Sequence, residues 1–162
     1  MRRKDFSNFY GTKRTFFVTD KGIASTNLTQ VEKYTMNEIT EVHAPVWQLC
    51  DSRHDNEIAN MGGIFPKCLM NPLDVDGLTE SLVQSFSDMD ELSTMFCVVT
   101  GMSTALVALI NFCSIKNIRL ILMHYDIVHD CYQCQFVHNK YLDELYEIRR
   151  KHDNHNGLRA LR

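Results

Sequence analysis

The sequence predicts a single α/β domain: a βαβ unit over residues 96–126 at the centre of a mixed sheet, with helices packed on it. Three observations carry this reading. Leu120-Ile121-Leu122-Met123 is an uninterrupted apolar run inside an expected strand, 118–124, as befits a parallel strand covered on both faces. Residues 103–116 repeat apolar side chains at helical spacing, directly after an apolar strand expected at 96–100. With 162 residues and 44% hydrophobic content, the chain has the usual size of one domain.

Element by element, residues 1–14 read as an arm in which Arg2, Arg3, Lys4, Lys13 and Arg14 interleave with Phe6, Phe9 and Tyr10. That composition suits an anionic partner, and it equally suits a terminus whose rings dock on the core while its charges stay in water. The α/β domain then spans 15–152. Residues 15–19 and 23–25, separated by Asp20-Lys21-Gly22, read as a hairpin, and 26–34 is short and poorly periodic. Residues 38–49 have strand composition, but Pro45 cannot donate a ladder hydrogen bond, so the strand is an edge, is bulged, or ends there. Residues 50–73, polar and interrupted by Gly and Pro, read as a long loop. A helix is expected over 76–91 with Asp76 as its N-cap and Leu78, Leu82, Val83, Phe86 and Met89 as its apolar stripe. After the βαβ unit, residues 132–138 read as an outer strand, 141–152 as an amphipathic helix through Leu142, Leu145, Tyr146 and Ile148, and 153–162 as a basic tail.

Composition bounds the function classes. No apolar run approaches the ~20 residues of a membrane helix, and the first residues lack the apolar stretch of an export signal, so a soluble cytoplasmic protein without membrane contact is expected. The six cysteines are then expected to be reduced and mostly buried. Charge is uneven: residues 1–34 hold seven Lys/Arg and three acids, 35–96 two and eleven, 97–162 eight and six. The acidic middle argues against a surface that tracks nucleic acid along its whole length.

The candidate site with the clearest chemistry is the corner Thr100-Gly101-Met102-Ser103-Thr104. A helix N-terminus leaves backbone N–H groups unpaired and carries partial positive charge, so Gly101 with the hydroxyls of Thr100, Ser103 and Thr104 could hold a phosphate or carboxylate. The structural alternative is that Ser103 caps the helix and Gly101 serves a tight turn. The corner falls at the carboxyl end of an expected parallel strand, where open α/β sheets place their ligands.

Residues 98–111, with Thr100-Gly101-Met102-Ser103-Thr104, followed by Ile118-Arg119-Leu120-Ile121-Leu122-Met123-His124-Tyr125-Asp126, resemble the Thr-Gly-rich strand, helix and next strand of CARF domains, Rossmann-like sensors of cyclic oligonucleotides. The resemblance covers about thirty residues, and Met102 and Ala105 stand in the neighbourhood of the motif's second Gly and its Lys. It implies a Rossmann-like core and a phosphate-rich ligand such as a nucleotide or cyclic oligonucleotide near Gly101, Ser103 and Thr104; a homo-oligomer, such as a homodimer, is expected on this reading and equally for a small inhibitor.

Other clusters are less specific. Cys131-Tyr132-Gln133-Cys134, with His124, Asp126, His129 and His138 nearby in sequence, offers zinc-ligand types, but cysteines three apart on a strand point to opposite faces, so no metal is favoured. His43, Asp51, His54, Asp55 and Glu57 supply acids and bases near the long loop, with no nucleophile motif beside them, and Cys97 in mid-strand reads as core. Trp47 and the basic tail, with Arg149, Arg150, Lys151, Arg159 and Arg162, are contact surfaces or, by default, packing and solvated charge. The expectation is a domain that binds a nucleotide or other phosphorylated ligand at Thr100, Gly101, Ser103 and Thr104 without catalysis and without a cofactor. The alternative is a non-enzymatic interaction module, such as a small inhibitor or adaptor, docking on a larger protein through Arg2, Arg3, Lys4 or Trp47.

Overall fold

The alternation of side chains along the strands Val46–Cys50, Thr94–Val98 and Arg119–Asp126 decides this fold, because these strands bury one face in one core and the other face in a second. A computed structural model describes residues 1–5, 11–35, 37–52, 56–69, 71–137, 147, 148 and 151. Nine strands are described: β1 (Arg2–Asp5), β2 (Arg14–Thr19), β3 (Ile23–Ser25), β4 (Ile39–Ala44), β5 (Val46–Cys50), β6 (Gly63–Phe65), β7 (Thr94–Val98), β8 (Arg119–Asp126) and β9 (Cys131–Val137). Three helices accompany them: α1 (Leu28–Glu32), α2 (Val75–Ser85) and α3 (Ser103–Lys116). The strands form one mixed sheet in the order β1-β4-β2-β3-β9-β8-β7-β5-β6. An α/β domain with a mixed sheet is what the sequence predicts.

Its closure is not. β4 and β5 are separated only by Pro45, yet they stand second and eighth in the strand order. One covalent strand therefore lies at both ends of the hydrogen-bonded path, which curls the sheet into a barrel-like wall of β4/β5, β2, β3, β9, β8 and β7. Pro45 ends the ladder with β2, whose last pair at this side is Arg14↔Ala44, and the ladder with β7 begins at Val46↔Phe96. Val42, Ala44 and Val46 keep the same inward face across the proline and meet Phe16, Ala24, Phe96, Val98, Ile121, Met123 and Tyr132 inside the curl. Phe16 and Phe96 cross this interior edge to face, with ring centroids 5.2 Å apart.

The second core lies outside the curl. Cys97, Leu120 and Leu122 turn the opposite faces of β7 and β8 toward α2 and α3. α3 buries Ala105, Ala108, Leu109, Phe112 and Cys113, an i, i+3, i+4, i+7, i+8 stripe, and ends with Asn117 in the left-handed conformation at φ 57°. β5, β7 and β8 are mutually parallel, with α2 and α3 in the connections between them, so the βαβ unit takes the form expected of it. Its strands are shifted, from 96–100 to Thr94–Val98 and from 118–124 to Arg119–Asp126, while α3 spans the expected 103–116.

Several boundaries differ. α2 starts under Asp74, not Asp76: the Asp74 carboxylate accepts from the Gly77 amide at 3.0 Å. It ends at Ser85, and Phe86 and Met89 continue into the same core from irregular chain. The loop expected over 50–73 contains β6, paired parallel with β5, and 26–34 contains α1. Arg2–Asp5 of the expected arm is β1, paired parallel with β4. Of the helix expected over 141–152, Glu147, Ile148 and Lys151 are helical; its remaining residues, the tail 153–162, Phe6, Phe9, Tyr10, His54, Asp55 and His138 lie outside the described residues. No helix among the described residues is long and apolar enough to cross a membrane.

Candidate functional site

The curled sheet has two mouths. At one of them, past the carboxyl ends of β7 and β8, a cleft of about 640 Å³ opens between α1, the chain after β5, and the β8–β9 turn. That volume is of the size of small-molecule sites. Val98 and Ile58 form its floor, and polar side chains from four separate segments line it: Ser25, Thr26, Asn27 and Gln30; Ser52, Asn56 and Glu57; Thr100; Tyr125, Asp130 and Tyr132.

Register explains why the tyrosines meet. Tyr125 and Tyr132 are directly opposed on β8 and β9, which puts their rings 5.2 Å apart at 51°. The Tyr125 hydroxyl donates to Asp130 Oδ1 at 2.8 Å, and this bond, with partial burial and the charges of Asp130, Asp126 and Cys131, pushes its pKa up. The Tyr132 hydroxyl donates to Asn56 Oδ1 at 3.2 Å, Asn56 Nδ2 donates to Gln48 Oε1 at 2.9 Å, and Gln48 Nε2 donates to the Cys50 carbonyl at 3.0 Å. Burial, helped by surrounding negative charge, pushes Tyr132 up to about 12. Gln48 and Tyr132 are buried, so this chain fixes the cleft wall from within the protein.

The expected site residues divide between the cleft and the corner beside it. Thr100 lines the cleft, but its hydroxyl donates to the Cys50 carbonyl at 2.7 Å and accepts from the Cys50 amide at 3.0 Å. Gly101, Ser103 and Thr104 lie just beyond the lining. Gly101 has φ +81°, and a Cβ there would fall 2.6 Å from Cys50 Sγ. Its lack of a side chain therefore serves close packing on Cys50. The N-cap position of α3 is Met102, with no side-chain cap, so Ser103 is the first helical residue and does not cap. Burial pushes the pKa of the Cys50 thiol up, and the Met102 amide acts on that thiol to lower it. Thr104 Oγ1 is buried with no hydrogen-bond partner.

The remaining candidates are distributed over the surface and the core. Arg2 pairs with Glu38, and Arg3 Nε lies 2.7 Å from Glu41 Oε2. Lys4 lines a smaller cavity of about 230 Å³ at the opposite mouth, with Thr94 and Arg119. Trp47 packs edge to face on Phe86 at 5.2 Å. Cys131 pairs in register with Asp126 and Cys134 with Met123; Cys134 faces the inner core, where burial pushes its thiol up to about 12. His129 Nδ1 lies 2.7 Å from Asp126 Oδ2. No group of three or more His, Cys, Asp and Glu among the described residues is arranged to hold a metal. Burial also pushes the thiols of Cys97 and Cys113 up, so neither offers a thiolate at neutral pH.

No family model, curated protein or solved structure matches the chain. The functional reading therefore rests on the cleft itself. Sequence reasoning singled out two of its residues, Thr100 and Glu57, and missed Asn56, Tyr125, Asp130 and Tyr132. The signal for the tyrosines is visible only once β8 and β9 are paired, because opposition across a ladder requires the register.

Proposed function

We propose that this protein binds a nucleotide or a related phosphorylated small molecule at the β7/β8 mouth, with no turnover. One observation carries the reading: a cleft of about 640 Å³ at the carboxyl ends of adjacent parallel strands, walled by two tyrosine rings and a fixed network of amides and hydroxyls. The parallel run β5–α2–β7–α3–β8 supports a Rossmann-like reading of this half of the sheet. In this reading the ring system of the ligand lies against Tyr125, and its phosphate lies outward, toward the amide end of α3 and toward Arg14. Arg14 lines a groove that shares Thr26, Asn27 and Glu57 with the cleft, donates to the Glu57 carbonyl at 2.9 Å, and keeps its buried Nε without a partner. The raised thiol pKa values favour binding over nucleophilic catalysis.

Thermal unfolding against a panel of mono-, di- and cyclic oligonucleotides tests this. A ligand at 100 times its dissociation constant should add about 2.7 kcal/mol to stability. Ser103→Asp puts an anion in the first turn of α3, which favours the helix but repels a phosphate, so it should leave the unliganded protein as stable and reduce the shift. No shift with any nucleotide would sink the reading.

A second reading, a non-enzymatic inhibitor or adaptor, draws on a different observation. At the β8–β9 turn Ile127 and Val128 are 80% and 81% exposed, an apolar pair standing at the rim of the cleft. Val128→Asp, at a residue outside the cleft lining, should then abolish association with the partner and leave nucleotide binding intact.

A further inference from the structure

The cleft shows which end of a nucleotide it would read. Its acidic lining residues are Glu57 and Asp130, and neither Lys, Arg nor His lines it among the described residues. Several donors of its wall are engaged by protein acceptors: Tyr125 by Asp130, Tyr132 by Asn56, Asn56 by Gln48, Thr100 by the Cys50 carbonyl, and Gln30 by the His129 carbonyl. The wall thus combines hydroxyl and amide groups of Ser25, Thr26 and Asn27 on the α1 side with the carboxylate of Asp130, which can only accept, beside the Tyr125 ring. Asp130 is also held in place: its φ is 48°, and its Oδ1 accepts from Tyr125 while keeping a second lone pair, so both carboxylate oxygens can accept from a ligand.

We propose that the cleft is selective for guanine. The inference rests on the nucleotide reading of the same site. Guanine presents two adjacent donors, N1–H and the N2 amino group, to a single carboxylate, whereas adenine has one donor beside an acceptor, cytosine one donor beside two acceptors, and uracil one donor between two acceptors along the corresponding edge. A carboxylate accepts and cannot donate, so each of those bases would pair one oxygen of Asp130 and set an acceptor against the other. The Tyr125 ring would stack on the base, and its hydroxyl would hold the carboxylate in the plane of the base edge.

Calorimetric titration with GMP, IMP and AMP tests the assignment. GMP should bind at least about tenfold more tightly than AMP, with IMP, which keeps N1–H and lacks the amino group, in between. Asp130→Asn tolerates the left-handed backbone and should bring the GMP to AMP ratio to within threefold, with circular dichroism confirming the fold. Equal or tighter binding of AMP, or a ratio unchanged in Asp130→Asn, overturns guanine selectivity while leaving nucleotide binding in place. Absence of binding by all three overturns both.

Discussion

Gly101 and Cys50 form a contact in which neither residue can change alone. A valine at 101 would have to adopt φ +81° with a branched side chain and push its Cβ into Cys50, whose Sγ and Cβ lie 2.6 and 2.7 Å from that position. Strain and overpacking together should cost about 2–4 kcal/mol, read as a fall in the denaturation midpoint. Gly101→Ala and Cys50→Ala should be non-additive by about 1 kcal/mol, because removing Sγ clears part of the space the new methyl needs. A loss of ligand binding in Gly101→Val therefore does not by itself identify a ligand contact, and Ser103→Asp is the cleaner probe. Asp126 offers a pH test at the same scale. The hydrogen bond from His129, reinforced by the Val128 and His129 amides, holds its carboxyl below the ordinary 3.8. A carboxyl held low in the folded state gives stability that is present above the ordinary value and is lost as pH falls through the lower one. Proton titration followed by carboxyl carbon chemical shift should place Asp126 below 3.8, and His129→Ala should move it up toward that value.

Among the elements, α2 separates what the pattern of residues reveals from what it hides. Asp74→Ala should cost about 1 kcal/mol, since the Gly77 amide loses its acceptor, while Asp76→Ala, in the first turn, should cost less; thermal unfolding of the two variants ranks them. The sequence places the helix but misplaces both ends. Phe86 and Met89 continue the helical spacing and the burial after the helix has stopped, and no Gly or Pro marks the stop. α3 was fully legible because its apolar stripe is bounded by Gly101 before and Lys116-Asn117 after. β1 was hidden by its composition: three basic residues among its four read as a solvated arm, and the Glu38 and Glu41 carboxylates that pair Arg2 and Arg3 sit beside β4, far away in sequence. For the cleft, the corner at Thr100 could be read from one strand and one helix. Asn56, Asp130 and the tyrosines could not, because they converge only through the register of β8 with β9 and the return of the chain after β5.

At the scale of the molecule, the closure at Pro45 ties the two cores into one unit. β7 sends Phe96 and Val98 inward and Cys97 outward, and β8 sends Ile121 and Met123 inward and Leu120 and Leu122 outward, so the shared wall cannot melt on one face alone. Phe16 fills the curl and Phe112 the space under α3, and both are fully buried. Truncating either to alanine should cost about 3–5 kcal/mol through lost burial and the cavity left behind. If the two cores were independent units, Phe16→Ala would lower an early transition and leave a later one, reported by the α-helical signal, in place. Because the strands are common to both, each variant should instead show one transition, coincident for far-ultraviolet dichroism and for the fluorescence of Trp47, which packs on Phe86 in the outer core. Fluorescence that stays native in Phe16→Ala after the sheet signal is lost would show that the helical layer stands without the curl, and the cleft at its mouth would then depend on the inner core alone.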